Sequence, residues 1–142
     1  MTQEDKELLL KDLCARFPYG IKCIVTKSRT EEGQEGDIGK IGWVCLEGVD
    51  CINDKKSFFS EFGNFKPYLF PLSSMTDKQK VEYNSLRDLV PTEQQCEVGN
   101  LLGDFEFVDN WRSIDYLNAN HFDYRGLIKK GLAIDATGLN IY

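Results

Sequence analysis

The sequence predicts an α+β domain in which an N-terminal helix and a small, twisted antiparallel sheet are followed by two or three amphipathic helices. Three observations predict it. Apolar residues recur at three- to four-residue spacing up to Phe17, the period changes to two from Tyr19, and helix-start signals return only at Thr76. With 142 residues, one core buries roughly 68% of the surface of the unfolded chain. The expectation is therefore a single domain over residues 1–142, with a subdivision near 72–76 as the alternative.

The first helix is expected over about 3–16. Thr2 followed by Asp5 approximates a capping box, Leu8, Leu9, Leu13 and Phe17 fall on or near one face, and Phe17-Pro18 stops it. Ile21, Cys23 and Val25 then alternate with more polar neighbours, as do Ile41, Trp43 and Cys45, which predicts two strands joined by the loop SRTEEGQEGD. A short strand over Cys51–Asn53 follows the EGVD turn. Phe58, Phe59, Phe62, Phe65, Tyr68 and Phe70 come next, with only Lys66 interleaved. Base-stacking surfaces pair aromatics with more cations, so these rings read as core. Pro67 and Pro71 limit any strand there to an edge position or a short extended segment.

Thr76 and Gln79 form a capping box opening a helix that runs through Val81, Leu86 and Leu89 to Pro91, amphipathic and docked. A short strand with Phe105 and Phe107 on one side and Asp104 and Glu106 on the other comes next. Asp109 is expected to cap a third helix carrying Trp111, Ile114 and Leu117 inward. In HFDYRGLIKKG, Asp123 suits the cap of a last short helix, Leu127 and Ile128 its core face, Lys129 and Lys130 its final turn, and Gly131 its left-handed end.

Charge is informative through its placement. The net −6 comes from Asp88 to Trp111, where Asp88, Glu93, Glu97, Asp104, Glu106 and Asp109 occur with no lysine or arginine. Such a field repels a phosphate backbone, so direct nucleic-acid binding is not expected. The six acids are instead a candidate face for a protein partner, or a mimic of nucleic-acid charge. No apolar run approaches the roughly 18 residues of a membrane helix, and MTQEDKELLL lacks the basic and apolar regions of a secretory signal. A cytoplasmic location is the expectation.

Five cysteines, at 14, 23, 45, 51 and 96, include no pair at zinc-knuckle or thioredoxin spacing. Cys45 and Cys51 can approach across the EGVD turn, but a reducing compartment argues against a disulfide, so all five read as small hydrophobes. No metal or cofactor is expected: Asp104, Glu106 and Asp109 lack calcium-loop spacing, and GxGxxG, GxxxxGK[ST], HExxH and GxSxG are absent. A catalyst would have to be built on His121, the single histidine, with Asp123 or a cysteine.

Three stretches, LLLKDLCARFPYG, KPYLFPLSSMT and YLNANHFDYRGLIKKGLAID, resemble a family of short proteins of unassigned activity from gut anaerobic bacteria and their phages and mobile elements. The resemblance touches both ends and the middle and implies a context, a phage or mobile-element accessory protein, without implying a catalytic residue or cofactor. The functional expectation is a non-enzymatic protein that acts by binding another protein.

Overall fold

The computed structural model describes residues 1–27, 33–91 and 105–142. Contacts divide them into two compact units, Met1–Ser74 with His121–Tyr142, and Met75–Asn120.

In the first unit, α1 spans Gln3–Arg16 and the Thr2 hydroxyl accepts from the Asp5 N–H, as the spacing predicts. A short 3-10 turn, Phe17–Tyr19, then ends in left-handed Gly20. Strands β1 (Lys22–Val25), β2 (Ile38–Val44), β3 (Gly48–Ile52), β4 (Ser57–Glu61) and β5 (Phe65–Pro71) follow, all antiparallel, in spatial order β4-β3-β2-β1-β5. The expectation of a small antiparallel sheet is overturned by what comes last. The short strands β8 (Phe122–Asp123) and β9 (Ile134–Asp135) pair parallel to β5, giving a mixed sheet of seven strands. Parallel partners separated by fifty residues leave no hairpin signal, and two-residue strands show no periodicity.

Strand β5 is therefore interior, although its prolines suggest an edge. The Thr26 N–H donates to Asn64 C=O at 2.7 Å, so by antiparallel alternation Ile24 and Lys66 form a hydrogen-bonded pair and Cys23 and Pro67 do not. The missing N–H of Pro67 thus points away from β1, and β9 begins pairing one residue later, at Tyr68. The core under the sheet joins Leu9 and Leu13 of α1 to Cys23, Val25, Ile41, Val49, Cys51, Phe58, Phe65 and Leu69. Phe58, Phe65 and Tyr68 are buried as the core reading of the aromatic stretch requires, whereas Phe59 alternates to the opposite face of β4 and is exposed.

A second correction concerns β2. Ile41 faces the core, but the register shifts between Ile41 and Trp43, and the bulge turns Trp43 outward, where it is 59% exposed. Gly42 permits it, since a Cβ there would lie 2.6 Å from Ile52 Cδ1.

The stretch 123–131 is not a helix. Asp123 belongs to β8, and Gly126, at φ +74°, interrupts any right-handed path between it and Leu127. The proposed end is present nonetheless: Gly131 lies at φ +71°, with Leu132 N–H on Leu127 C=O and Gly131 N–H on Ile128 C=O, the Schellman pattern after a single turn.

In the second unit α2 spans Asp77–Leu86 behind the expected Thr76–Gln79 capping box. It ends three residues before Leu89, because β6 (Asp88–Pro91) pairs antiparallel with β7 (Phe105–Val108). The docking expected of this amphipathic helix is shallow: α2 has no fully buried residue, and Tyr83 stacks on Tyr116 with ring centroids 6.3 Å apart. Helix α3 (Trp111–Ala119) is capped by Asn110, one residue later than Asp109, through bonds from the Arg112 and Ser113 N–H groups. Its buried residues are Ser113, Leu117 and Asn118, whereas Trp111, in the first turn, is 78% exposed.

Candidate functional site

Strand alternation gives the sheet of the first unit two unlike faces. One buries the core, and the other carries Lys22, Ile24, Ile38, Lys40, Trp43, Asp50, Ile52 and Phe59. On it Lys40 lies between Lys22 of β1 and Ile52 of β3, and Asp50 between Trp43 and Phe59. Ile38, Trp43, Ile52 and Phe59 are exposed, as is Phe17 from the turn after α1.

Three clefts shape this surface. One of about 580 Å³ lies between the Phe17-Pro18 turn and Ile52, Asn53 and Asp54, with Lys40 and Gly42 along it. A second, of about 240 Å³, continues it past Ile38 and Lys22, and a third, of about 190 Å³, is walled by Cys14, Phe17, Trp43 and Val44. The bulge creates this surface by moving the indole of Trp43 from the core side to the open side. Alternation from Ile41 hides it from a reading of the sequence, and the glycine inside an apolar run is the signal that points to it.

His121 lines none of these clefts. It is 6% exposed, its backbone sits at φ +58°, and its C=O accepts the Phe70 N–H at 2.9 Å. The imidazole stacks on the ring of Tyr142, with centroids 4.0 Å apart and planes at 14°. Its Nδ1 has no hydrogen-bond partner among the described residues. Burial, and then the guanidinium of Arg16, pull its pKa from 6.5 down to about 4, so the ring is neutral at pH 7.

Around it lies a charged cluster that the sequence reading missed. Asp12 and Arg16, both fully buried, pair on one turn of α1 through Nε to Oδ2 at 2.8 Å and Nη2 to Oδ1 at 3.0 Å. Arg125 adds Nη1 to Oδ1 at 2.8 Å, and Arg16 Nη2 donates to Phe122 C=O at 2.7 Å. These bonds tie α1 to the C-terminal segment. The available signal was an Asp–Arg pair four residues apart on the stripe of Leu9 and Leu13.

Tyr142 completes the arrangement. Its hydroxyl accepts from the Lys22 N–H at 3.1 Å and donates to Tyr68 C=O at 2.9 Å, bridging the position where the β1–β5 ladder stops. Burial pushes its pKa up to about 12, which keeps the donating proton in place.

The carboxylate expected to serve His121 is engaged elsewhere. Asp123, its proposed partner, directs Oδ1 to the Leu127 N–H at 2.9 Å and Oδ2 to the Ile128 N–H at 2.8 Å. The two cysteines of the core, Cys23 and Cys51, contact each other.

Of the six acids singled out, Glu93, Glu97 and Asp104 lie outside the described residues. Asp109 forms an ion pair with Arg87 at 3.1 Å and accepts from Ser113 and from the Tyr83 hydroxyl, and Asp88 stands 3.9 Å from Arg112. Glu106 is exposed on β7. Among the described residues no group of three metal-ligating side chains comes together, and no helix is long and apolar enough to cross a membrane. Comparison of the chain with protein families, with characterised proteins and with solved structures finds no match.

Proposed function

We propose that the chain acts by binding another protein through the open face of the seven-stranded sheet, without catalysing a reaction. The carrying observation is the exposed set Phe17, Ile38, Trp43, Ile52 and Phe59 around three clefts, with a tryptophan turned outward by a bulge. Clustered apolar residues with polar neighbours mark interaction surfaces, and tryptophan is enriched where binding energy concentrates. The resemblance to mobile-element accessory proteins supplies the setting for this reading. The acidic stretch supports it less, since Asp88 and Asp109 face arginines of their own unit.

A photoreactive side chain at position 43 should cross-link a discrete partner polypeptide in the source cells. The double variant Trp43→Arg, Ile52→Glu should lose that partner while melting within about 4 °C of the parent. Equal recovery of the partner by both chains would refute the assignment of this face.

A further inference from the structure

Lys22 and Lys40 are direct partners across β1 and β2 on the open side of the sheet. The Ile41 N–H donates to Ile21 C=O, so by antiparallel alternation the next pair, Lys22 with Lys40, is a non-hydrogen-bonded one, with its side chains at the closer of the two ladder spacings. Like charges in that position are destabilising. The fold does not neutralise them. Among the described residues neither ammonium pairs with a carboxylate, although the chain holds 23 acidic residues against 17 lysines and arginines, and Lys56 and Lys130 each find an aspartate. Lys22 Nζ donates instead to Ile141 C=O at 2.7 Å, which uses one of its three protons. The stem of Lys40 is laid against the turn after α1, where a Cβ on Gly20 would lie 2.9 Å from Lys40 Cε, so the bare backbone at Gly20 gives it a seat.

Both lysines line the cleft of about 240 Å³, and Lys40 also borders the one of about 580 Å³, where Phe17, Pro18 and Ile52 supply apolar wall. A local conflict that the fold leaves standing, beside an apolar recess, marks the place of a ligand that resolves it. Resting on the reading of this face as a protein-binding surface, we infer that the partner docks through an acidic segment. The carboxylate of an aspartate or glutamate sits between Lys22 and Lys40, and a bulky apolar side chain next to it enters the larger cleft. Asp54, which lines both clefts, selects among anions. A polyanion such as a nucleic-acid backbone would meet its charge, whereas a single carboxylate is held by two ammonium groups through charge-assisted hydrogen bonds and need not approach it.

The test selects binders from a random dodecapeptide display library on the full folded chain. Peptides that bind the parent and are lost on the Trp43→Arg, Ile52→Glu variant are kept, and their affinities are read by fluorescence polarisation of the synthetic peptides. The kept peptides should carry an aspartate or glutamate beside an aromatic or aliphatic residue. Lys40→Gln and Lys22→Gln should each weaken them at least about tenfold, the loss of one charge-assisted bond, and changing the peptide's acid to its amide should cost as much. Lys66→Gln, which alters a cation paired with Ile24 on the same face but outside these clefts, should change them less than about twofold. Should Lys22→Gln loosen the segment that Lys22 holds and fail to fold, Lys40→Gln decides alone. Kept peptides that lack an acid, or that bind Lys40→Gln as well as the parent, would overturn the inference and leave the face as a binding surface. Tighter binding of inorganic phosphate or of an oligothymidylate than of the kept peptides, with the same dependence on the lysines, would also overturn it. If no selected peptide is lost on the double variant, the face itself is wrongly assigned and the inference falls with it.

Discussion

Acidification should destabilise this chain through its one histidine, and the size of the effect follows from its surroundings. In the unfolded chain the imidazole takes up its proton near 6.5, whereas in the fold it does so only near 4, because protonation would place a cation in the core beside Arg16. Between those values the unfolded state binds more protons, so stability rises with pH across the window and is lost as pH falls from 6.5 toward 4. Integrating the two titrations from about pH 7 to about pH 5 gives a loss on the order of 2 kcal/mol from His121 alone. Urea melts at the two pH values measure the total, and a variant without the imidazole isolates the histidine's share. His121→Asn is the suitable one, since asparagine tolerates the left-handed backbone at this position. The parent should lose about 2 kcal/mol more than the variant. Because the histidine is single, its ring protons also give one unambiguous NMR titration in the folded chain. A midpoint near 6 or above, or equal losses by parent and variant, would refute the reasoning.

Two further outcomes test the surrounding bonds. Asp12→Asn leaves the buried guanidinium of Arg16 without its counter-charge and should cost about 3 to 5 kcal/mol in denaturant melts, whereas a loss below about 1 kcal/mol would mean that Arg16 is hydrated. Asp123→Ala removes the acceptor of the Leu127 and Ile128 N–H groups and should cost about 1 to 3 kcal/mol; an unchanged melt would show those groups satisfied elsewhere.

Local signals were legible where the interaction that decides the structure is itself local. The Thr2 and Thr76 caps and the stop at Phe17-Pro18 mark where α1 begins and ends and where α2 begins, because a cap joins atoms three residues apart. The alternation of Ile21, Cys23 and Val25 found β1 for the same reason, since side-chain period two is a property of one strand. Composition marked the run of rings ending at Phe70 as core, which holds for Phe58, Phe65 and Tyr68 but not for Phe59, because the register that sends Phe59 to the open face is not written in composition. Near Gly131 the end signal was correct and the helix was not. Gly131 announces a left-handed terminus, but nothing in the residue pattern told how Asp123 and Gly126 would share the preceding chain between a strand and a turn.

By itself, then, the sequence determined the first helix, the capped start of the second, the existence of β1 and β2 and much of the apolar core, whereas it placed a turn where β3 begins and had no strand at β4. Tertiary structure decided the rest. It drew 122–123 and 134–135 to β5 as parallel strands, made a proline-bearing segment interior and turned Trp43 outward. It also buried Asp12 with Arg16 and set Cys23 against Cys51. The physical reason is common to all of these. Each depends on which atoms lie across a strand or against a distant segment, and the energy of such a contact is not contained in the neighbours of either residue along the chain.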